Sequence, residues 1–170
     1  MRFLIYISLL LTGLSGQLAF ATDTQLAAPV GEVVLTVSGA ISHTNVEGEA
    51  QFDWSMLEAL PVYQLSTDTS VTTGVHEFTG FLLSDLFEKV GATGKQVTAI
   101  ALNDYEVTIA MKDFKDFKVL AAYQRNGVRL TAADKGPLWI VYPRSEHAEL
   151  RDIRYDYRWV WQLVELRVEP

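Results

Sequence analysis

The sequence has no cysteine among its 170 residues. This absence excludes disulfide bonds, thiolate nucleophiles, cysteine-ligated zinc, iron–sulfur clusters and a lipid-modified N-terminal cysteine. Stability must therefore come from packing alone. With 49% apolar and 21% charged residues, a chain of this length can bury one core, so we predict a single globular domain.

Positive charge is also scarce. Lysine and arginine total 14 against 21 aspartate and glutamate residues, which gives a formal net charge of −7 at pH 7. A protein that binds phosphodiester backbones needs a basic surface, and an acidic surface repels them. We therefore expect no nucleic-acid partner.

Several catalytic and binding motifs are missing as well. The chain has no G-x-S-x-G, no P-loop and no G-x-G-x-x-G, which removes the usual signals of a serine hydrolase or a nucleotide-binding domain. Its three histidines, His43, His76 and His147, are not at metal-ligand spacings. We interpret them as isolated surface or hydrogen-bonding side chains and predict no metal site.

The N-terminus has the order of a secretory signal peptide. Arg2 precedes an apolar run over 3–14, and an A-x-A cleavage site follows at 19–21. We predict cleavage after Ala21, a periplasmic or secreted mature protein, and no stable membrane span once the signal peptide, residues 1–21, is removed. The alternative is a retained anchor, because the apolar segment would almost span a bilayer.

The mature chain predicts an α+β fold with a mixed β-sheet and a few short helices. Residues 22–31 mix Ala, Thr, Pro and Gly and predict a loose leader, and residues 32–170 form the domain. β-branched and apolar runs predict strands at 33–39, 62–66, 96–102, 106–111, 119–124, 128–130, 138–142 and 160–168. Apolar spacing predicts helices at 54–60, 82–90 and 145–157. Strands outnumber helices and do not alternate regularly with them, which favours a mixed sheet over a doubly wound one.

Several local signals are specific enough to test. Asn126-Gly127 and the tripeptide 103–105 predict hairpin turns, and Asp53 is a candidate helix N-cap. The last strand predicts one shared face for Val160, Gln162, Val164, Leu166 and Val168. The core that packs the 82–90 helix against the strands is predicted to comprise Leu83, Leu86, Phe87, Val90, Leu138, Ile140, Val164 and Leu166.

The segment 144–161 interleaves arginines with aromatic side chains. Arg151, Arg154 and Arg158 fall at the helical spacing i, i+3 and i+7, and tyrosines or tryptophans stand between and after them. One interpretation is a pocket in which guanidinium groups bind a carboxylate, sulfate or phosphate. The other is a solvated helix, because acidic residues alternate with the arginines and ion pairs within the helix explain the charges.

Several weak motifs follow one another along most of the mature chain. They are L-x-V-x-G at 35–39, F-x-G-F-x-L-x-D-L-F at 78–87, an aromatic turn at Tyr105, the 120–130 hairpin, the 136–143 strand, and W-x-x-x-L-x-x-L-x-V at 159–168. In this order they resemble the molybdopterin-binding domain of the sulfite oxidase family. The resemblance implies that family's mixed-sheet fold and a cleft where relatives hold their cofactor.

Three positions depart from the family's pattern. Members that do redox chemistry hold molybdenum through a cysteine thiolate, whereas the matching region here, by register, is the Leu-Ser-Thr of residues 65–67. A hydroxyl is a poor substitute for a soft thiolate on the metal. Trp139 stands where the family commonly has an arginine that contributes to cofactor binding, and residues 103–105 read Asn-Asp-Tyr where it commonly has Asp-Gly-Tyr.

Two functions therefore stay open. In the one we favour, the chain is a cofactor-free exported domain, an accessory or sensory module whose pocket binds a small anionic or planar ligand, or a periplasmic or membrane-bound partner protein. In the alternative, it is a molybdopterin-dependent oxidoreductase with a non-cysteine ligand on the metal. We predict no catalytic residue from the sequence.

The resemblance also implies where a residual pocket would lie. Its walls would be the Tyr105 turn, the 67–76 segment and the start of the arginine-rich stretch. The five candidate ligand-binding residues are His76, Tyr105, Trp139, Arg144 and Arg158. We expect the arginines to bind an anionic group and the aromatic rings to stack on a planar one.

Overall fold

A computed structural model describes residues 26–170. The predicted signal peptide, residues 1–21, lies outside the described residues. The ten strands are β1 Leu35–Gly39, β2 Ala50–Phe52, β3 Tyr63–Asp68, β4 Val75–Leu82, β5 Gln96–Ala101, β6 Glu106–Ala110, β7 Leu120–Arg125, β8 Val128–Arg129, β9 Leu138–Val141 and β10 Trp161–Glu169. The four short α-helices are α1 Trp54–Glu58, α2 Leu83–Lys89, α3 Met111–Asp116 and α4 Ile153–Asp156, and a 3₁₀ turn covers Ala148–Arg151.

The strands form one hydrogen-bonded network organised around β10. The main path runs β2-β1-β10-β9-β7-β4-β3, and β5 also pairs with β10 and carries β6. β1 lies parallel to β10, whereas the other paired strands are antiparallel. The predicted α+β fold with a mixed sheet is confirmed. In the described part of the chain, no helix is long and apolar enough to cross a membrane.

The alternation predicted for the last strand is wrong. The register of β10 shifts between Leu163 and Glu165, where a β-bulge interrupts its pairing. Gln162 adds a positive φ of 54° just before the shift. An extra residue in a strand reverses which side chains face the core. Leu163 is therefore buried, and Val164 is only half-buried.

The predicted core is otherwise confirmed. The four α2-segment residues Leu83, Leu86, Phe87 and Val90 are at most 4% exposed. They belong to one hydrophobic cluster with Leu138, Ile140 and Leu166. Val164 is the exception, because the bulge displaces it from the buried face.

Asp53 caps α1 as predicted and also fastens the chain before β1. Its Oδ1 accepts a hydrogen bond from the Met56 backbone N–H at 3.0 Å. Its Oδ2 accepts one from each of the Val30 and Gly31 N–H groups, both at 2.8 Å. The described part of the predicted loose leader is irregular in backbone, but these bonds tie it to the domain.

Strands β2 and β4 carry no predictive pattern in the sequence. β4 pairs with β3 on one side and with β7 on the other. Its Gly80 passes so close to β7 that a Cβ there would lie 2.0 Å from the Ala121 carbonyl oxygen. The next hairpin follows its sequence signal, since Asn126 and Gly127 both have positive φ and join β7 to β8.

The long charged helix predicted over 145–157 is wrong. A 3₁₀ turn and α4 replace it, and extended backbone at Asp152, with ψ of 137°, separates the two. The Asp152 side chain accepts a hydrogen bond from the Arg154 N–H at 2.9 Å and so starts a new helix. Arg151, Arg154 and Arg158 consequently do not share one helical face.

Candidate functional site

A hydrogen-bonded group, here called the Thr67 cluster, joins the end of β3 to the loop after β9. It consists of Thr67, Asp68, Arg144 and Ser145. The Ser145 N–H donates to Thr67 Oγ1 at 3.0 Å, and the Ser145 hydroxyl donates to Asp68 Oδ1 at 2.7 Å. Arg144 Nη1 forms an ion pair with Asp68 Oδ2. Thr67 is fully buried, so its hydroxyl faces these partners and not solvent.

Within the Thr67 cluster, the charges of Asp68 and Arg144 compensate each other. The Ser145 hydroxyl, and after it the Arg144 charge, lower the pKa of Asp68 against the opposing effect of its burial. Asp68 is therefore ionised at neutral pH and compensates the guanidinium of Arg144. The positive charge of Arg144, which is predicted to attract an anion, is therefore already paired with a carboxylate.

Arg158 is paired in the same way. Its Nη1 contacts Asp113 Oδ2, and the Asp113 side chain is only 4% exposed. The Tyr142 hydroxyl donates to the same carboxylate oxygen at 3.4 Å. Burial, with the Asp113 charge as a second cause, raises the pKa of Tyr142 well above its usual value, so the phenol keeps its proton.

Trp139 and His76 belong to a chain of aromatic contacts beneath these pairs. Phe78 lies edge-on to Trp139, with ring centroids 5.3 Å apart, and Trp139 lies 6.5 Å from Trp159. Trp139 is fully buried. His76 contacts this aromatic series only through Phe78, with ring centroids 6.2 Å apart. Its ring nitrogens face the Thr73 carbonyl and the Asn126 amide.

An open cavity of about 230 Å³, the Tyr105 cavity, lies beside the β5–β6 turn. Its lining residues are Val71, Ala101, Asn103, Tyr105, Asp156, Tyr157, Trp159, Val160 and Trp161. Trp159 is 2% exposed and forms its floor, whereas Tyr105, Tyr157 and Trp161 are 38% to 49% exposed and stand at its mouth. Half-exposed aromatic rings around a concavity are typical of ligand sites.

Hydrogen bonds across the cavity hold Tyr105 in place. Its hydroxyl donates to the Tyr157 carbonyl at 2.9 Å, which joins the β5–β6 turn to the residue after α4. Within the turn, the Ala101 N–H donates to the Tyr105 carbonyl at 3.0 Å, and Asp104 adopts a φ of 62°. The cavity therefore has a preformed wall.

Five buried polar atoms in this region have no hydrogen-bond partner among the described residues. They are Trp139 Nε1, Arg144 Nε, Asp156 Oδ1, Arg158 Nε and Trp159 Nε1. Two of them, on Asp156 and Trp159, belong to residues that line the Tyr105 cavity. Buried polar groups are normally satisfied, so these two atoms are exceptions within the residues that line the cavity.

The five predicted site residues are not brought into one pocket. Tyr105 lines the cavity, and Trp139 lies in the core behind its floor. Arg144 and Arg158 are ion-paired in two separate places, and His76 lies at the β7–β8 hairpin. That any of them binds a ligand stays a prediction.

The cavity residues that sequence reasoning missed are Asp156, Tyr157, Trp159 and Trp161. A signal for three of them was present, since aromatic residues alternate over 155–161. Such aromatic runs are common in cores, and Trp159 does lie in the core. Among the described residues, no group of three or more His, Asp or Glu side chains gathers to hold a metal.

Comparison with known proteins gives a family match and matches to solved structures. The profile of the family described as oxidoreductase molybdopterin binding domain matches residues 34–149. The structure is similar to the sulfane dehydrogenase SoxCD from Paracoccus pantotrophus, with a TM-score of 0.59 and 19% sequence identity. The match covers 79% of this chain and 37% of that chain, so this chain spans little more than a third of that protein's length. No curated protein sequence matches.

Proposed function

Because the chain belongs to the oxidoreductase molybdopterin binding domain family, as its motifs predicted, we propose that it is an exported module of that family that binds a small ligand without the cofactor. One observation carries this proposal. Each of the two arginines predicted to bind an anionic group is paired with a carboxylate of the chain, whereas the Tyr105 cavity is open and lined by aromatic side chains.

The residues at the expected metal position do not fit molybdenum. The register places residues 65–67 where redox-active relatives have cysteine. Thr67, the only fully buried residue of the three, engages its hydroxyl with Ser145. A buried, hydrogen-bonded hydroxyl is a hard donor without a negative charge, and soft thiolate is the ligand that such a metal prefers. The adjacent carboxylate, Asp68, is engaged by Ser145 and Arg144.

The two arginines predicted to bind an anionic group do not suit the cofactor's phosphate either. Both candidate guanidinium groups are compensated, Arg144 by Asp68 and Arg158 by Asp113. Trp139, at the position where the family has an arginine, is a core residue. Binding a phosphate would require breaking a partly buried ion pair, which leaves a carboxylate without its cation.

The Tyr105 cavity suits a ligand that is smaller than a drug-sized molecule. Its volume of about 230 Å³ lies below the roughly 300 to 1,000 Å³ of pockets that hold drug-sized ligands. Rigid aromatic walls favour a compact organic molecule. A ligand of this size supports an accessory or sensory role, in which binding and not chemistry is the function.

The metal and pterin content of protein purified from its native exported state tests the proposal. We expect no stoichiometric molybdenum, and normal folding in a host that lacks pterin synthesis. A cysteine-containing family member purified in parallel shows that the procedure retains the cofactor. Close to one molybdenum atom per chain, with the fluorescence of an oxidised pterin, would overturn the proposal and establish the alternative, an oxidoreductase with non-cysteine ligation.

A further inference from the structure

The lining of the Tyr105 cavity combines four aromatic side chains with one acidic group. The aromatic residues are Tyr105, Tyr157, Trp159 and Trp161, and the acidic one is Asp156. No lysine or arginine is among the lining residues. The faces of aromatic rings carry partial negative charge, so ring faces and carboxylate attract the same kind of guest. This lining favours a cation over an anion.

One oxygen of the half-buried acidic group has no partner. Asp156 Oδ1 is buried without a hydrogen-bond partner, and Asp156 forms no salt bridge with any residue of the described domain. A buried carboxylate oxygen without a partner is destabilising. A positive charge in the cavity would compensate it.

We propose that the Tyr105 cavity binds a small quaternary ammonium cation. The methylated nitrogen would lie among Tyr105, Tyr157 and Trp161, near Asp156. Quaternary ammonium groups have no N–H to satisfy, so aromatic walls suit them. The inference rests on the proposed function, because it assigns a ligand class to the same cavity.

Two protein cations already lie on these rings. The Lys135 Nζ is 4.5 Å from the Trp161 ring centroid, and the Arg158 guanidinium carbon is 5.6 Å from that of Tyr157. Neither residue lines the cavity, and Asp113 compensates Arg158. Each ring has two faces, so one cation on a ring does not by itself exclude a ligand from the other face.

Calorimetric titration of the mature chain with choline tests the charge directly. Its control ligand is 3,3-dimethylbutan-1-ol, which has the same shape and hydroxyl but no charge. We expect choline to bind at least about tenfold more tightly than the alcohol. Asp156→Asn should weaken choline binding by about tenfold and leave the alcohol unchanged. Glu47→Gln, an equal charge change on an exposed turn outside the cavity, should alter neither.

Trp161→Leu provides a second variant should Asp156→Asn fail to fold, and it should weaken choline binding at least about threefold. Equal binding of choline and the alcohol, no binding of choline, or tighter binding of sulfate or benzoate than of choline would each overturn the inference. Those outcomes leave the cofactor-free proposal intact. Stoichiometric molybdenum in the purified protein would instead overturn that proposal, which the metal measurement reports separately.

Discussion

At the scale of single residues, Arg158 and Arg154 carry the same charge in different surroundings. The Arg158 side chain is 18% exposed and faces the nearly buried Asp113. Arg154 is 77% exposed and pairs with Asp152 at the start of α4, where its hydrogen bonds lower the pKa of Asp152 to about 2. The first pair is shielded from water and the second is not, so the two should contribute differently to stability.

We predict that Arg158→Ala lowers the free energy of unfolding by about 3 kcal/mol, because it leaves Asp113 buried without a cation. Arg154→Ala, the matched control, should cost at most about 1 kcal/mol, as exposed ion pairs do. Urea denaturation of both variants measures the difference. Equal midpoints would mean that Asp113 finds another partner and that Arg158 is free to serve a ligand.

At the scale of secondary-structure elements, α2 connects its sequence pattern most directly to the core. Leu86 is fully buried on its inner face, and Lys89 is exposed one turn later. Gly91, with a φ of 61°, ends the segment as its sequence predicts. One helix therefore offers a buried and an exposed test position three residues apart.

Leu86→Ala should destabilise the domain by about 2 to 5 kcal/mol, through lost apolar burial and the cavity left behind. Lys89→Ala should be nearly silent, because its side chain lies in solvent. Thermal unfolding of the two variants compares them. Similar midpoints would contradict the burial of the 82–90 face.

Elements whose residues specify them within a short segment could be predicted from the sequence. Elements that depend on pairing with distant strands could not. The Asn126-Gly127 turn and α2 are specified within a few residues, through positive φ and apolar spacing. β4 lacks a hydrophobic run, and Gly80 becomes intelligible only through its close approach to β7. Likewise, no sequence signal near Asp152 indicated that a new helix would begin there, within the single charged helix predicted over 145–157.

The same distinction applies to the site. Tyr105 could be predicted because the family resemblance implies that its turn lines the cleft. The partners that neutralise the two candidate arginines lie far away in sequence, 76 residues for Arg144–Asp68 and 45 for Arg158–Asp113. Only folding brings these pairs together. The sequence alone therefore could not show that carboxylates neutralise the two arginines of the predicted anion site.

At the scale of the whole molecule, net charge favours a cationic ligand. A formal charge of −7 gives the protein a negative potential that raises the local concentration of small cations at its surface. Carboxylates also compensate Arg144 and Arg158, the two arginines predicted to bind an anionic group. The overall negative charge and the lining of the cavity thus both favour a cationic ligand.

Export is the remaining property of the whole molecule, and it is a prediction from the sequence. The short apolar run and the A-x-A site at 19–21 are typical of a signal that is removed. The intact mass of protein from its native host should therefore correspond to a chain that begins at Thr22. An Ala21→Leu variant should block cleavage and shift the mass to the full chain, since the peptidase requires a small residue before the cut. Wild-type protein that retains residues 1–21 in the membrane fraction would instead identify this segment as an anchor.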